Sequence, residues 1–153
     1  MEAYRHILGH EQLVSRLGYW PSFHDGEVLW FRLDREPTAL GPGPTLEVMV
    51  HAFQLTDDTD ARDYLILRNH VLVHFRFAGV FDFRCDSFYQ KYELSELSFS
   101  QIDSDESDSL RFDVYFESVY GSEGIFFKCD RLQVVNAESC DAAGKAIESL
   151  KGT

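Results

Sequence analysis

Asn69-His70-Val71-Leu72-Val73-His74-Phe75-Arg76-Phe77-Ala78-Gly79-Val80-Phe81-Asp82-Phe83-Arg84-Cys85 is the stretch that decides the fold class of this chain. After position 69 its odd positions are Val, Val, Phe, Phe, Gly, Phe, Phe and Cys, whereas its even positions include His70, His74, Arg76, Asp82 and Arg84. Side chains of a strand alternate between two faces, so this period of two sets an apolar face against a core and leaves a wetter, partner-facing side. Gly79 interrupts the run at a point where a bend or bulge would let the strand cross from one sheet to another or curl over the core.

The same periodicity recurs in Leu110 to Glu117, where Phe112, Val114 and Phe116 face one way and Arg111, Asp113 and Glu117 the other. Gly26 to Asp34, Thr45 to Phe53, Tyr92 to Ile102 and Gly124 to Val135 read as further strands separated by turn-rich segments. Leu40-Gly41-Pro42-Gly43-Pro44 is a loop, and Tyr120 to Gly124 connects a hairpin between 110–118 and 124–132. Helix is expected only near the ends: His10 to Leu17, with Leu13, Val14 and Leu17 on one stripe and Gly18 and Pro21 as stops, and weakly Ala142 to Leu150. The expected fold is mainly β: one antiparallel domain over 1–153, a sandwich or strongly curled sheet of about six or seven strands. A short N-terminal helix precedes it, strands lie between about 26 and 135, and a weakly structured tail spans 137–153.

Composition supports that reading and narrows the function. A chain of 153 residues is long enough to bury about 68–70% of its unfolded surface without staples. With 14 basic and 26 acidic residues its formal charge is −12, which disfavours a nucleic-acid partner. No apolar run approaches the roughly 20 residues of a membrane-spanning helix, and Met1 to His6 lacks the basic-then-apolar pattern of an export signal. A cytoplasmic location without membrane attachment is the expectation. Cys85, Cys129 and Cys140 are odd in number and lack a C-x-x-C spacing, so they read as reduced, and Cys85 and Cys129, each within an alternating apolar run, read as small apolar residues.

Few residues write chemistry. There is no Gly-rich phosphate cradle, G-x-S-x-G elbow or H-E-x-x-H helix, so no catalytic residue, metal or cofactor is expected. Of the histidines 6, 10, 24, 51, 70 and 74, His70 and His74 lie four apart on the expected strand, about 13 Å from one another, too far to share one metal. Asp57-Asp58-Thr59-Asp60 and Asp103-Ser104-Asp105-Glu106-Ser107-Asp108 form two acidic runs. The second begins like a calcium loop but has Asp108 where an EF-hand has glycine and Val114 where it has glutamate. Both runs read as solvated segments between strands, or as surfaces that attract a basic protein by steering. Trp20-Pro21-Ser22-Phe23-His24-Asp25 joins helix to strand. Trp20 and Phe23 would anchor that corner while His24 and Asp25 bond its backbone. A His24/Asp25 pocket in a hydrolase or small-ligand binder is the competing reading.

Trp20-Pro21-Ser22-Phe23-His24-Asp25-Gly26-Glu27-Val28 resembles the W-P-x-F-H-D-A-E-V segment of the immunity protein 50 family of bacterial polymorphic toxin systems. Phe77-Ala78-Gly79-Val80-Phe81-Asp82-Phe83-Arg84 is similar to that family's F-x-G-V-x-D-L-x run. Phe88 to Leu94 stands where relatives show a polar F-N-x-Q-N-type turn, and here Tyr89 and Tyr92 replace the asparagines. The resemblance covers roughly positions 10 to 135. It implies a mostly β, non-catalytic protein that binds and silences a cognate toxin domain. Joined to the charge of −12, it points to occlusion of a basic active site. Asp57, Asp58, Asp60, Asp103, Asp105, Glu106 and Asp108 are then the expected partner-binding residues, with Trp20, Phe23, His24 and Asp25 as motif residues of structural role. Self-association as an assembly component stays open beside it.

Overall fold

The computed structural model describes residues 3–88, 90–102, 111–120 and 124–147. After a single 3-10 turn at Ala3–His6 come helix α1 (His10–Leu17) and eight strands. They are β1 (Glu27–Asp34), β2 (Thr45–Thr59), β3 (Leu65–Ala78), β4 (Phe81–Cys85), β5 (Tyr92–Ile102), β6 (Arg111–Ser118), β7 (Ile125–Cys129) and β8 (Arg131–Ser139). All pair antiparallel in one open sheet of order β4-β7-β6-β5-β1-β2-β3-β8. The mainly β, curled-sheet expectation therefore holds, with a slightly higher strand count.

The two additional strands come from two breaks in apolar runs. The 69–85 run splits at Gly79 into β3 and β4, and the 124–135 run splits at Asp130 into β7 and β8, which continues to Ser139. β3 and β8 pair at one end of the sheet, whereas β4 and β7 pair at the other, so the chain changes limb at both breaks. The crossings adjoin. The Asp130 amide donates to the Ala78 carbonyl at 2.9 Å, and a Cβ on Gly79, which has φ 65°, would overlap the Asp130 carboxylate.

Aromatic contacts show how far the sheet curls. β3 and β7 stand five places apart in the strand order, which in a flat sheet would separate them by roughly 24 Å. The rings of Phe77 on β3 and Phe127 on β7 instead lie 4.8 Å apart, and Phe75 and Phe77 both meet Phe116 on β6. The limb β1-β2-β3-β8 is thus folded over β5-β6-β7-β4, and the apolar residues of both alternate into one core. The fold line is the β1–β5 seam, where only Glu27↔Glu93 and Val28↔Tyr92 pair among the described residues. Buried Tyr92 ties the seam to the second limb: its hydroxyl donates to the Phe116 carbonyl (2.7 Å) and accepts from the Ile125 amide (3.0 Å). A side chain on Gly124, with φ 74°, would collide with that hydroxyl.

Helix α1 seals an edge. Leu13 and Leu17 are buried, Val14 is half-buried, and Gly18 in the left-handed region returns its amide to the Val14 carbonyl. Leu8 bridges Gln133 in parallel, the Gln12 amide donates to the Val134 carbonyl, and the Arg16 guanidinium donates to the Ala137 carbonyl. Polar side chains and a turn of chain thereby satisfy the outer edge of β8, which would otherwise be a template for pairing with another chain.

Two further expectations change. The run Asp57–Thr59 lies within β2, with Thr59 opposite Leu65, so only Asp60 to Tyr64 forms the hairpin tip. Long pairing with β3 extends the strand past Phe53, and the Asp60 carboxylate closes the turn by accepting from the Arg62 and Tyr64 amides. The described part of the expected C-terminal helix, 142–147, is turn and bridge: the Asp141 carboxylate accepts from the Ala143 and Lys145 amides, and Cys140 pairs with Ala146. Gly144 at φ 79° breaks any helical continuation there, and residues 148–150 lie outside the described residues.

Candidate functional site

The corner motif divides into an inner and an outer half. Phe23 is buried, and Trp20 stacks on Tyr4 at 5.1 Å while meeting Phe23, Phe75 and Phe99 edge-on, so these two residues plug the end of the aromatic core. His24 and Asp25 point outward, each with a side chain 54% exposed. Phe23 and Asp25 both adopt positive φ, 64° and 66°, and this tight double reversal is pinned by bonds from the Asp25 amide to Leu94 and from the Leu94 amide to Gly26. His24 Nδ1 donates to the Ser95 carbonyl at 2.9 Å, and its Nε2 lies 3.7 Å from Asp25 Oδ1. The Ser22 hydroxyl accepts from the His24 backbone amide, while the imidazole nitrogens face the Ser95 carbonyl and Asp25, so the hydroxyl does not donate to the imidazole as a nucleophile–base pair requires.

Asp25 nevertheless borders a hollow of the surface, a cavity of about 460 Å³ over the fold line. Glu27 enters from β1, His51 and Phe53 from β2 and His70 from β3; Lys91 and Glu93 line it at the start of β5, and Ala142 from the C-terminal turn. Register explains the convergence. Glu27 pairs with His51, whose neighbours Val50 and Ala52 face the core, so His51 and Glu27 share the opposite face. His70 sits diagonally across from His51 on the same face, and His51 Nε2 and His70 Nδ1 share a hydrogen bond of 3.0 Å. The rings of His51, Phe53 and His70 form a triangle with centroid separations of 5.1 to 5.9 Å.

His51 is only 6% exposed, and that burial, followed by neighbouring His70, holds its pKa below the ordinary histidine value. Lys91 Nζ donates to Glu93 at 2.8 Å, which raises the lysine pKa and accounts for the Glu93 charge. The Glu27 carboxylate makes no hydrogen bond or close ion pair among the described residues and interacts with Lys91 only through space, and the one ion pair of Asp25 is the long contact to His24. Among the residues lining the cavity, the three carboxylates of Asp25, Glu27 and Glu93 outnumber the single ammonium of Lys91.

Further along the same face, Trp30 lies edge-on to His74 at 5.6 Å, and Glu47 accepts from Arg76 (2.9 Å) and lies 3.2 Å from His74 Nε2. A smaller hollow of about 180 Å³ beside Arg32, Asp34, Glu47 and Arg76 ends the face. The wet side expected for His70, His74 and Arg76 is thus a continuous outer face of β1-β2-β3.

The expected partner-binding residues lie elsewhere. Asp57 belongs to β2, Asp58 is exposed beside it with Arg68 at 3.5 Å, and Asp60 is at the hairpin tip. Asp103, Asp105, Glu106 and Asp108, like Tyr89, lie outside the described residues. Among the described residues no group of three or more His, Cys, Asp or Glu is placed to hold a metal ion. All three cysteines are free; burial pushes the Cys140 thiol up to about 11 and raises Cys85 and Cys129 as well. The His51–His70 pair was missed by reading along the chain, because its members are nineteen residues apart and meet only across the β2–β3 ladder. The signal that could have found it is hairpin register.

No helix of the described residues is long and apolar enough to cross a membrane. Neither a curated protein nor a solved structure matches the chain. A family model, Immunity protein 50, matches residues 9–139, a span that runs from the start of α1 through β8 and includes the corner motif and every strand. By that match the chain belongs to the immunity protein 50 family.

Proposed function

We propose that this protein acts in the cytoplasm, without catalysis of its own, by binding a cognate toxin domain and covering a basic active site. Membership of the immunity protein 50 family carries this reading. The charge of −12 supports it, because a strongly acidic surface accelerates encounter with a basic partner. In this account Asp57 and Asp58 near the end of β2 and Asp60 at the β2–β3 tip, with Asp103, Asp105, Glu106 and Asp108, steer the toxin towards the protein.

The test is calorimetric titration with the C-terminal domain encoded beside this gene, at two salt concentrations. Nanomolar affinity that weakens with salt supports the reading; absence of binding to a folded neighbouring domain overturns it. Neutralising Asp103, Asp105, Glu106 and Asp108 together is expected to slow association and flatten its salt dependence. An unchanged rate removes that segment from the steering account.

A second reading, a small-ligand site at His24 and Asp25, draws on the place of Asp25 in the cavity wall. It requires that His24→Ala abolish binding or turnover of the ligand. A corner role for His24 limits the change to the loss of one exposed hydrogen bond, about 1 kcal/mol.

A further inference from the structure

The cavity over the β1–β5 seam has the chemistry of a receptor for a cation on a flat frame. We infer that it takes an arginine side chain of the protein partner, an inference that rests on the toxin-binding reading above. Three observations carry it. The charges are unbalanced, since the three carboxylates of Asp25, Glu27 and Glu93 share the single ammonium of Lys91, which hydrogen-bonds Glu93 and interacts with Glu27 only through space, while Asp25 has only the long contact to His24. The wall is aromatic, with His51, Phe53 and His70 presenting a ring triangle against which a guanidinium can lie. The pair of imidazoles is also incomplete as a hydrogen-bonding unit. In the neutral pair, whichever nitrogen of the 3.0 Å contact carries the proton, one outer nitrogen, His51 Nδ1 or His70 Nε2, keeps a lone pair.

An arginine satisfies all three at once: its fork reaches a carboxylate with two N–H groups, its plane stacks on rings, and a remaining N–H meets the imidazole lone pair. The volume of about 460 Å³ lies within the roughly 300–1,000 Å³ typical of ligand pockets. Ala142 leaves the mouth wide at the C-terminal turn, where the neighbouring Gly144 passes over His51 Nδ1, and a Cβ there would stand 3.4 Å from it.

The probe is n-butylguanidine, a free guanidinium on a short chain, titrated into the full-length protein at pH 7.5 with NMR detection of the His51 and His70 ring protons. Saturable shifts of both rings are expected, with n-butylurea, the neutral analogue, giving none. Apparent affinity should fall tenfold or more in the Glu27→Gln/Asp25→Asn double variant, whose fold is checked by its amide spectrum. No saturable shift, or equal affinity in the double variant, overturns the inference. Calorimetry of the same variant against the neighbouring toxin domain separates this inference from the reading beneath it. A tenfold or greater loss of toxin affinity supports the pocket as a partner site. Full toxin affinity in the double variant overturns the pocket and leaves neutralisation standing, whereas failure of the wild-type chain to bind the toxin domain overturns neutralisation itself.

Discussion

Tyr92 shows how much one side chain can hold at the residue scale. Its hydroxyl satisfies a carbonyl and an amide of two different strands inside the core, and burial raises its pKa to about 12. Tyr92→Phe leaves both backbone groups without that partner, so a loss of about 1–3 kcal/mol is expected as a lower urea midpoint with unchanged slope. His51 makes a pH-dependent contribution. Its folded pKa lies below the ordinary value of 6.5, so the unfolded chain binds the proton more readily. Stability is therefore retained above pH 6.5 and lost as pH falls from there through the lowered folded value. His51→Gln is expected to flatten that slope in melting temperatures measured between pH 5 and pH 7. The cysteines supply a third check: with all three thiols raised, Ellman's reagent should react negligibly with the native protein at pH 7.5 and fully in denaturant. Rapid native labelling would contradict their placement.

Among the elements, the decisive features are the two crossings between limbs. β3 ends and β4 begins around Gly79, β7 ends and β8 begins around Asp130, and the two points touch. An L side chain at position 79 would strain a left-handed backbone and collide with the Asp130 carboxylate, so Gly79→Ala is expected to destabilise by about 1–3 kcal/mol in denaturant melts. A neutral result would mean that the limbs need no close contact there. The alternating run at 69–85 disclosed β3 and β4 readily, because strong period-two burial leaves little ambiguity of face. It did not disclose their separation into different limbs, since a glycine in such a run serves a bulge as well as a crossing. Similarly, the acidic run after Thr56 looked like open loop from composition, yet pairing with β3 keeps Asp57 to Thr59 in the strand.

For the whole molecule the dominant property is a folded-over, aromatic-centred sheet with a charge of −12. If acidity steers the partner, association with the neighbouring toxin domain should slow tenfold or more between low salt and about 0.5 M, while dissociation changes less. Stopped-flow measurement of both rates checks this, and a salt-independent association rate would remove electrostatic steering from the account.

What the sequence determined alone was whatever depends on neighbours along the chain: strand alternation, the stop of α1 at Gly18, the apolar character of Cys85 and Cys129 and the corner anchors Trp20 and Phe23. The family motif was legible for the same reason, being contiguous. The tertiary structure alone decided which strands pair, that the sheet folds at the β1–β5 seam, and that Glu27, His51 and His70 converge on one cavity with Asp25. Those residues are far apart in sequence, and each is unremarkable on its own strand. Their proximity follows from ladder register and sheet curvature, which are set by packing of the whole aromatic core and not by any local preference.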